Sequence, residues 1–218
     1  MIERKKTRRI EVGWVPVGDA APITVQSMTN TDTKDTEATI AQIHRLEKAG
    51  CEIIRVAVLD EEAADCLRTI RDHISIPLIA DIHFDHRLAV ASMENGAQCI
   101  RINPGNLGGE EKLARVVDAA KLHKVPIRVG VNSGSIEKDL LKQYGYPTPE
   151  VPSSLIESAL RNVRLLEKHG FYEMKISVKS SDVLTTVSSY RQLSARTDYP
   201  LHIGVTEAGG LIAGTVKS

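Results

Sequence analysis

Basic side chains recur at matching points of several short, β-rich segments. Arg55, Arg101 and Lys175 each stand five residues after a glycine, and Arg128 and Lys179 belong to two segments of the same kind. Burying a cation is costly unless an opposite charge lies beside it, and arginine contacts phosphate oxygens in a bidentate manner. We therefore predict that the five side chains converge on one cavity and bind an anion with several phosphate oxygens. For any one of them alone, a structural ion pair with a neighbouring carboxylate is the competing interpretation.

Polar residues near the ends of these segments extend the predicted site. Asn103 in NPGN and Asn132 in GVNSG could donate amide hydrogens to the anion, although both also suit ordinary turns. Glu207, in VTEAGG, is the candidate proton donor, with a charge at a helix N-terminus as the alternative. His83 is assigned a hydrogen-bonding role. The spacing of DIHFDH, residues 81–86, would also suit zinc, but a ring of cations is a poor setting for a divalent metal, so we predict no metal site.

An alternation of strands and helices along the chain must position these residues. Asp35 or Thr36 and Asp60 are predicted to begin two of the helices, and Ser154 with Glu157 is predicted to form a capping box for another. Seven such alternations predict a parallel sheet. Its strands are expected in residues 21–28, 51–58, 76–83, the start of 99–108, 125–132, 172–179 and 200–206.

The two faces of the predicted strands differ in polarity. One face carries apolar residues such as Ile23, Val25, Ile54, Ile100 and Ile203, and the other carries the cations. A doubly wound open sheet is covered by helices on both sides and should be apolar on both. The pattern therefore favours an α/β fold of the TIM (β/α)8-barrel type, whose polar face lines the interior and the mouth. Because no segment supplies an eighth strand, we expect the barrel to lack it.

Two segments lie outside the alternation. Alternating apolar residues around Gly13 predict an N-terminal β-hairpin in residues 1–20 that plugs the bottom of the barrel. Residues 134–154 are predicted to be an irregular insertion, which follows the fifth strand and so lies at the mouth, where barrel enzymes carry their substrate loops. We treat residues 1–218 as one substrate-binding barrel.

Composition limits the partners and the compartment. The 28 basic and 28 acidic residues balance, which argues against broad binding of nucleic acid or of an acidic membrane. No apolar run is long enough to cross a bilayer, and the basic start of the chain lacks the apolar stretch of a secretory signal. Three widely spaced cysteines, Cys51, Cys66 and Cys99, suit a reduced compartment. We therefore expect a cytoplasmic protein.

Six motifs closely resemble, in this order, the N-terminal barrel of the bacterial 4-hydroxy-3-methylbut-2-enyl diphosphate synthase family: VQSMTNTDT, ADIHFD, IRINPGN, IRVGVNSGS, ISVKSSD and HIGVTEAG. The resemblance implies an oxidoreductase of the non-mevalonate route of isoprenoid (terpenoid) biosynthesis. Its reaction would convert methylerythritol cyclodiphosphate to hydroxymethylbutenyl diphosphate by a two-electron reductive dehydroxylation at a [4Fe-4S] cluster. Reduced flavodoxin or ferredoxin would be the electron donor.

The same resemblance implies roles for single residues. Glu207 would reach the substrate near the departing hydroxyl, and six side chains would bind the diphosphate: Arg55, His83, Arg101, Arg128, Asn132 and Lys179. The family carries its cluster on a C-terminal domain, on three cysteines and a glutamate. The cysteines of this chain lack that spacing. We therefore expect the cluster ligands to be absent from these residues, and the chain by itself to be inactive in the reduction.

Two other interpretations of the function compete with this one. A pterin-binding barrel of the dihydropteroate synthase kind would share the architecture and also bind a diphosphate. A module that only binds anions would need no chemistry of its own.

A barrel that is open between its first and seventh strands exposes two strand edges, so we expect self-association, most simply as a homodimer.

Overall fold

A computed structural model describes residues 4–217. Its strands are β1 Arg9–Val12, β2 Val15–Gly18, β3 Gln26–Met28, β4 Ile53–Ala57, β5 Leu78–Asp81, β6 Cys99–Ile102, β7 Ile127–Asn132 and β8 Met174–Lys179. Its α-helices are α1 Thr36–Lys48, α2 Glu61–Asp72, α3 His86–Glu94, α4 Glu110–His123, α5 Lys138–Tyr144, α6 Ser153–Lys168, α7 Val183–Arg196 and α8 Leu211–Lys217. None of these helices within residues 4–217 combines the length and apolarity that a bilayer span requires.

Strands β3 to β8 form one sheet in the order of the chain. Every neighbouring pair is parallel, and each crossover contains at least one helix, as parallel connections usually do. The sheet curls into a half-barrel with the helices outside. The predicted parallel barrel with an incomplete wall is therefore confirmed.

The outer face of the sheet forms the main hydrophobic core. Ile54, Ile100 and Val129 are fully buried between the strands and the helices. Side chains alternate across a strand, so the residues between them point into the half-barrel. The predicted division into an apolar outer face and a charged inner face is confirmed for these central strands.

The N-terminal hairpin closes the bottom of the half-barrel, as predicted. β1 and β2 pair in antiparallel fashion. The turn between them holds Gly13 at φ +60°, a region that glycine adopts without strain. Ile10 and Val12 form a second apolar cluster with three residues from the starts of barrel strands: Ile53, Ile79 and Cys99.

The two edges of the sheet differ from the expectation. The first predicted strand is only three residues long, and residues 200–206 make a single parallel bridge, between Ile176 and Leu201. Three residues that were predicted to lie on the buried apolar face are exposed instead: Ile23, Val25 and Ile203. The reason is that an edge segment packs against a neighbour on one side only.

Helix starts follow the predicted caps with one exception. Asp35 and Asp60 cap α1 and α2, and each accepts a hydrogen bond from a backbone N–H three residues later. The predicted capping box at Ser154 and Glu157 is wrong, because α6 begins after Pro152 and no side chain caps it. Ser154 is buried in the first turn, and Glu157 pairs with an arginine of α7.

The insertion of residues 134–154 is more regular than predicted. It contains α5, whose Leu140 is buried in the main core, and α5 packs against α6. The insertion follows β7 directly, so it begins on the side of the mouth, as expected.

Candidate functional site

Strand register brings four charged residues side by side on the inner wall. Asp81 of β5 pairs with Arg101 of β6, Arg101 with Arg128 of β7, and Arg128 with Lys175 of β8. Residues paired across neighbouring strands point to the same face, so the four form a continuous belt. Lys179 lies four residues beyond Lys175, nearer the mouth. With Arg55 of β4, the basic members are called the cation cluster below: Arg55, Arg101, Arg128, Lys175 and Lys179.

Asp81 is the carboxylate that contacts this cluster within residues 4–217. Its Oδ1 lies 3.2 Å from Arg101 Nη1 and its Oδ2 lies 3.5 Å from Arg55 Nη1. His83 Nε2 approaches Oδ1 to 3.9 Å. Arg101 Nη2 also donates to the carbonyl oxygen of Gly130 at 3.2 Å. The ion-pair interpretation therefore holds for Arg55 and Arg101, but one carboxylate leaves most of the positive charge of the cluster uncompensated.

Arg128 is a buried cation with no carboxylate partner within residues 4–217. It is 1 % exposed, and its Nε and Nη1 find no acceptor within the described residues. Burial and the like charges of Arg55 and Arg101 lower its pKa below the ordinary 12.5. A guanidinium in this position is unfavourable unless an anion accepts its N–H groups. This side chain is therefore the clearest indication of an anion site.

The two lysines of the cluster are also removed from solvent and lie close to other cations. Burial, together with the charges of Arg128 and Arg55, lowers the pKa of both Lys175 and Lys179 to about 8. Burial and the same cations also lower the pKa of His202, so its imidazole is neutral. A ligand with several negative charges would relieve the repulsion among these groups.

The other predicted site residues occupy different environments around the cluster. His83 has a side chain that is 47 % exposed, at the rim beside Asp81. Asn103 is buried, and its Oδ1 has no donor within residues 4–217. Asn132 caps the short turn that follows β7, so its ordinary turn role is present. Glu207 is exposed at φ +50°, and no hydrogen bond or ion pair of the described residues joins it to the cation cluster.

Sequence reasoning gave no site role to two neighbours of the cluster on β3. Met28 Sδ accepts a hydrogen bond from Arg55 Nη2 at 2.8 Å, and Gln26 Oε1 is buried without a donor in the described chain. Gln26 pairs with Ile53 and Met28 with Arg55, so both side chains lie on the inner face. The period-two alternation that selects Arg55 could have found them.

The Arg101 side chain lies against Gly130 of β7, so a side chain introduced at Gly130 should disturb the site. A Cβ on Gly130 would lie 2.9 Å from Arg101 Cζ, so Gly130→Ala should push the guanidinium aside and weaken the binding of inorganic pyrophosphate about tenfold. Gly134→Ala is the control, because its Cβ would meet nothing within 4 Å. Calorimetric titration measures both variants, and equal affinities for all three chains would contradict this placement of Arg101.

Solved structures with a similar fold belong to several enzymes. The chain matches 3-dehydroquinate dehydratase from Geobacillus kaustophilus with a TM-score of 0.62 at 15% identity, covering 96% of this chain and 81% of that chain. It matches dihydropteroate synthase from Yersinia pestis with a TM-score of 0.60 at 13% identity, covering 90% and 74%. At such low identity the likeness shows the fold alone and does not favour the pterin-binding interpretation.

Much closer relatives share one name. A 4-hydroxy-3-methylbut-2-en-1-yl diphosphate synthase (flavodoxin) from Desulfotalea psychrophila is 71% identical over 100% of the chain, and one from Lawsonia intracellularis is 58% identical over 99%. The chain spans 60% and 59% of the lengths of these two relatives. The family model described as the GcpE TIM-barrel domain matches residues 7–218. A match of this extent confirms the resemblance and the barrel class, and the chain belongs to the GcpE TIM-barrel family.

Proposed function

We propose that this chain forms the substrate-binding barrel of a 4-hydroxy-3-methylbut-2-en-1-yl diphosphate synthase, an oxidoreductase of isoprenoid biosynthesis. The names of the close relatives support the reaction. The cation cluster would hold the diphosphate of methylerythritol cyclodiphosphate at the mouth of the half-barrel. The observation that carries this binding role is Arg128, a buried cation whose Nε and Nη1 lack acceptors in the described residues.

Each binding side chain has a role that suits its environment. Arg128 is the central donor to phosphate oxygens, while Arg55 and Arg101 keep their contacts with Asp81 and offer their remaining N–H groups. Lys179 adds a charge at the mouth end of β8. Around them we place His83 and Asn132 as hydrogen-bond donors. Asn103 is a further donor, and its Oδ1, which has no donor within residues 4–217, also suits a substrate hydroxyl. Glu207 is the proton donor to the departing hydroxyl.

The reaction explains why the cluster carries so much positive charge. Reductive dehydroxylation takes up two electrons and one proton, opens the ring of the cyclic diphosphate and releases the hydroxyl oxygen as water. Ring opening frees a phosphate oxygen, so negative charge accumulates on the diphosphate end of the product. Cations fixed in a buried position stabilise that charge without reorganising.

The residues present here do not fit an iron–sulfur cluster. Cys51 and Cys99 are buried in separate apolar clusters, and Cys66 is half-buried on α2. Burial raises the pKa of all three thiols and so disfavours the thiolates that would bind iron. Within residues 4–217, no three side chains of His, Cys, Asp or Glu converge as metal ligands. The [4Fe-4S] cluster and flavodoxin therefore belong to the proposal only as sources of electrons from outside these residues.

Titration of the chain with methylerythritol cyclodiphosphate tests this proposal. Arg101→Ala should weaken binding about thirtyfold, because it removes a charge-assisted contact of about 2 kcal/mol. Arg115→Ala is the control and should bind as the parent does, since Arg115 is an exposed residue of α4 whose side chain pairs with Glu111 on the surface. A parent chain that does not bind, or an Arg101→Ala chain that binds equally well, would contradict the proposed function.

We also propose that the protein is cytoplasmic and homodimeric. The free cysteines support a reduced compartment, and the exposed apolar side chains of the open edges, Ile23, Val25 and Ile203, support self-association. Analytical ultracentrifugation should show a particle of twice the chain mass. A strictly monomeric particle at high concentration would count against the homodimer.

A further inference from the structure

The hydrogen-bond ladder between β8 and residues 200–206 is interrupted after one residue pair. Ile176 donates its N–H to Pro200 O at 2.9 Å and accepts from His202 N at 2.8 Å. A continuing parallel ladder would next join Val178 N–H to His202 O. The hydroxyl of Tyr190, from α7, takes that position instead. It accepts from Val178 N at 3.2 Å and donates to His202 O.

A second side chain of α7 accepts a hydrogen bond from the residue that follows β8. The N–H of Ser180 donates to Thr186 Oγ1 at 3.2 Å. Thr186 and Tyr190 are four residues apart, about 6 Å along a helix, and Val178 and Ser180 are two apart, about 6.6 Å along a strand. The two hydroxyls therefore match two successive edge donors, one in β8 and one just after it, which then need no acceptors from a neighbouring strand.

The interrupted part of the wall lies beside the cation cluster. Residues 203–206 return to β8 where Thr206 N–H donates to Ser180 O at 3.3 Å. Between the two attachment points, Lys179 extends against Gly204, on which a Cβ would lie 3.0 Å from Lys179 Nζ. Glu207 follows at once in the chain. The spacing between β8 and this segment therefore determines the room available to Lys179.

We propose that Tyr190 is a positioning residue whose hydroxyl holds residues 200–206 apart from β8 and thereby directs Lys179 toward the anion bound by the cation cluster. Tyr190 is buried on α7, and its hydroxyl bonds only to backbone groups of Val178 and His202 among the described residues. These two hydrogen bonds, called the Tyr190 bridge below, are supported by geometry alone, whereas their effect on binding rests on the proposed function.

Tyr190→Phe tests the bridge and its consequence together. Without the hydroxyl the Val178 N–H loses its acceptor, so the Val178 amide should exchange its hydrogen at least tenfold faster in an NMR measurement. Affinity for methylerythritol cyclodiphosphate should fall about tenfold. In a Lys179→Met background the same substitution should cause no further loss of affinity, because the effect acts through Lys179. Tyr199→Phe is the matched control, since the Tyr199 hydroxyl bonds to the side chains of Glu167 and Arg8 instead.

The outcomes separate the two parts of the inference. Unchanged exchange at Val178 would overturn the bridge, and faster exchange with unchanged affinity, or additive losses with Lys179→Met, would overturn the positioning role. A parent chain that does not bind the cyclic diphosphate would overturn the proposed function and the positioning role, while the exchange result still decides the bridge. If Tyr190→Phe fails to fold, Gly204→Ala crowds Lys179 without touching the hydroxyl and should weaken binding about tenfold; unchanged affinity would overturn the inference.

Discussion

Replacement of Arg128 by methionine is expected to stabilise the ligand-free chain and, at the same time, to remove most of its affinity for the cyclic diphosphate. Arg128 is 1 % exposed without a carboxylate partner in the described residues, and an apolar side chain of similar volume avoids the cost of burying that charge. We expect the free energy of unfolding to rise by about 2 kcal/mol. Affinity should fall about a hundredfold, because the central donor to the phosphates is lost.

Urea denaturation and calorimetric titration measure these two effects separately. Arg115→Met is the matched control, because the Arg115 side chain is 65 % exposed and its ion pair with Glu111 lies on the surface. Surface pairs of this kind contribute little, so this variant should retain both the stability and the affinity of the parent. Loss of stability in Arg128→Met would show that the guanidinium is satisfied within the chain, which would contradict an anion site built around it.

Raising the pH through the range of the buried lysines should have opposite effects on binding and on stability. The pKa of Lys175 and of Lys179 is about 8 in the folded chain, against 10.5 when unperturbed. Between these values the unfolded chain keeps lysine protons that the folded chain has released, so the two lysines make the free energy of unfolding of the ligand-free chain rise with pH. The raised pKa values of the three thiols act in the opposite direction at the upper end of this range. Affinity for the anion should fall about a hundredfold from pH 7 to pH 10, because two ammonium contacts of roughly 1.5 kcal/mol each are lost.

A double variant, Lys175→Met with Lys179→Met, identifies the groups responsible. It removes both titrating side chains, so its affinity should already be low at pH 7 and should change little up to pH 10. The increase in the free energy of unfolding that the two lysines cause between pH 7 and pH 10 should be absent from this variant. If the parent chain binds equally well at pH 7 and pH 10, the two ammonium groups do not contact the anion.

The alternation of residue types was enough to predict most of the barrel. Side chains of a strand point alternately to opposite faces, so the positions of Ile54 and Arg55, or of Ile100 and Arg101, show directly which face is covered by helices. The same rule predicted that the cations share one cavity, and the preference for acidic and hydroxyl side chains at helix starts predicted that Asp35 or Thr36 and Asp60 begin helices. The alternation failed at Ile23, Val25 and Ile203, because burial at a sheet edge depends on neighbours that a local pattern does not contain.

The sequence by itself determined the barrel class and the family, and it predicted the kind of ligand that a convergent set of arginines and lysines would bind. Only the tertiary structure decided how the charges are shared: Asp81 contacts Arg55 and Arg101, while Arg128 has no carboxylate within the described residues. Those two contacts join residues that are 26 and 20 positions apart in the chain, and they depend on the register between neighbouring strands. The same holds for the Tyr190 hydroxyl between β8 and His202, because distances between separate elements are set by packing and not by the order of neighbouring residues.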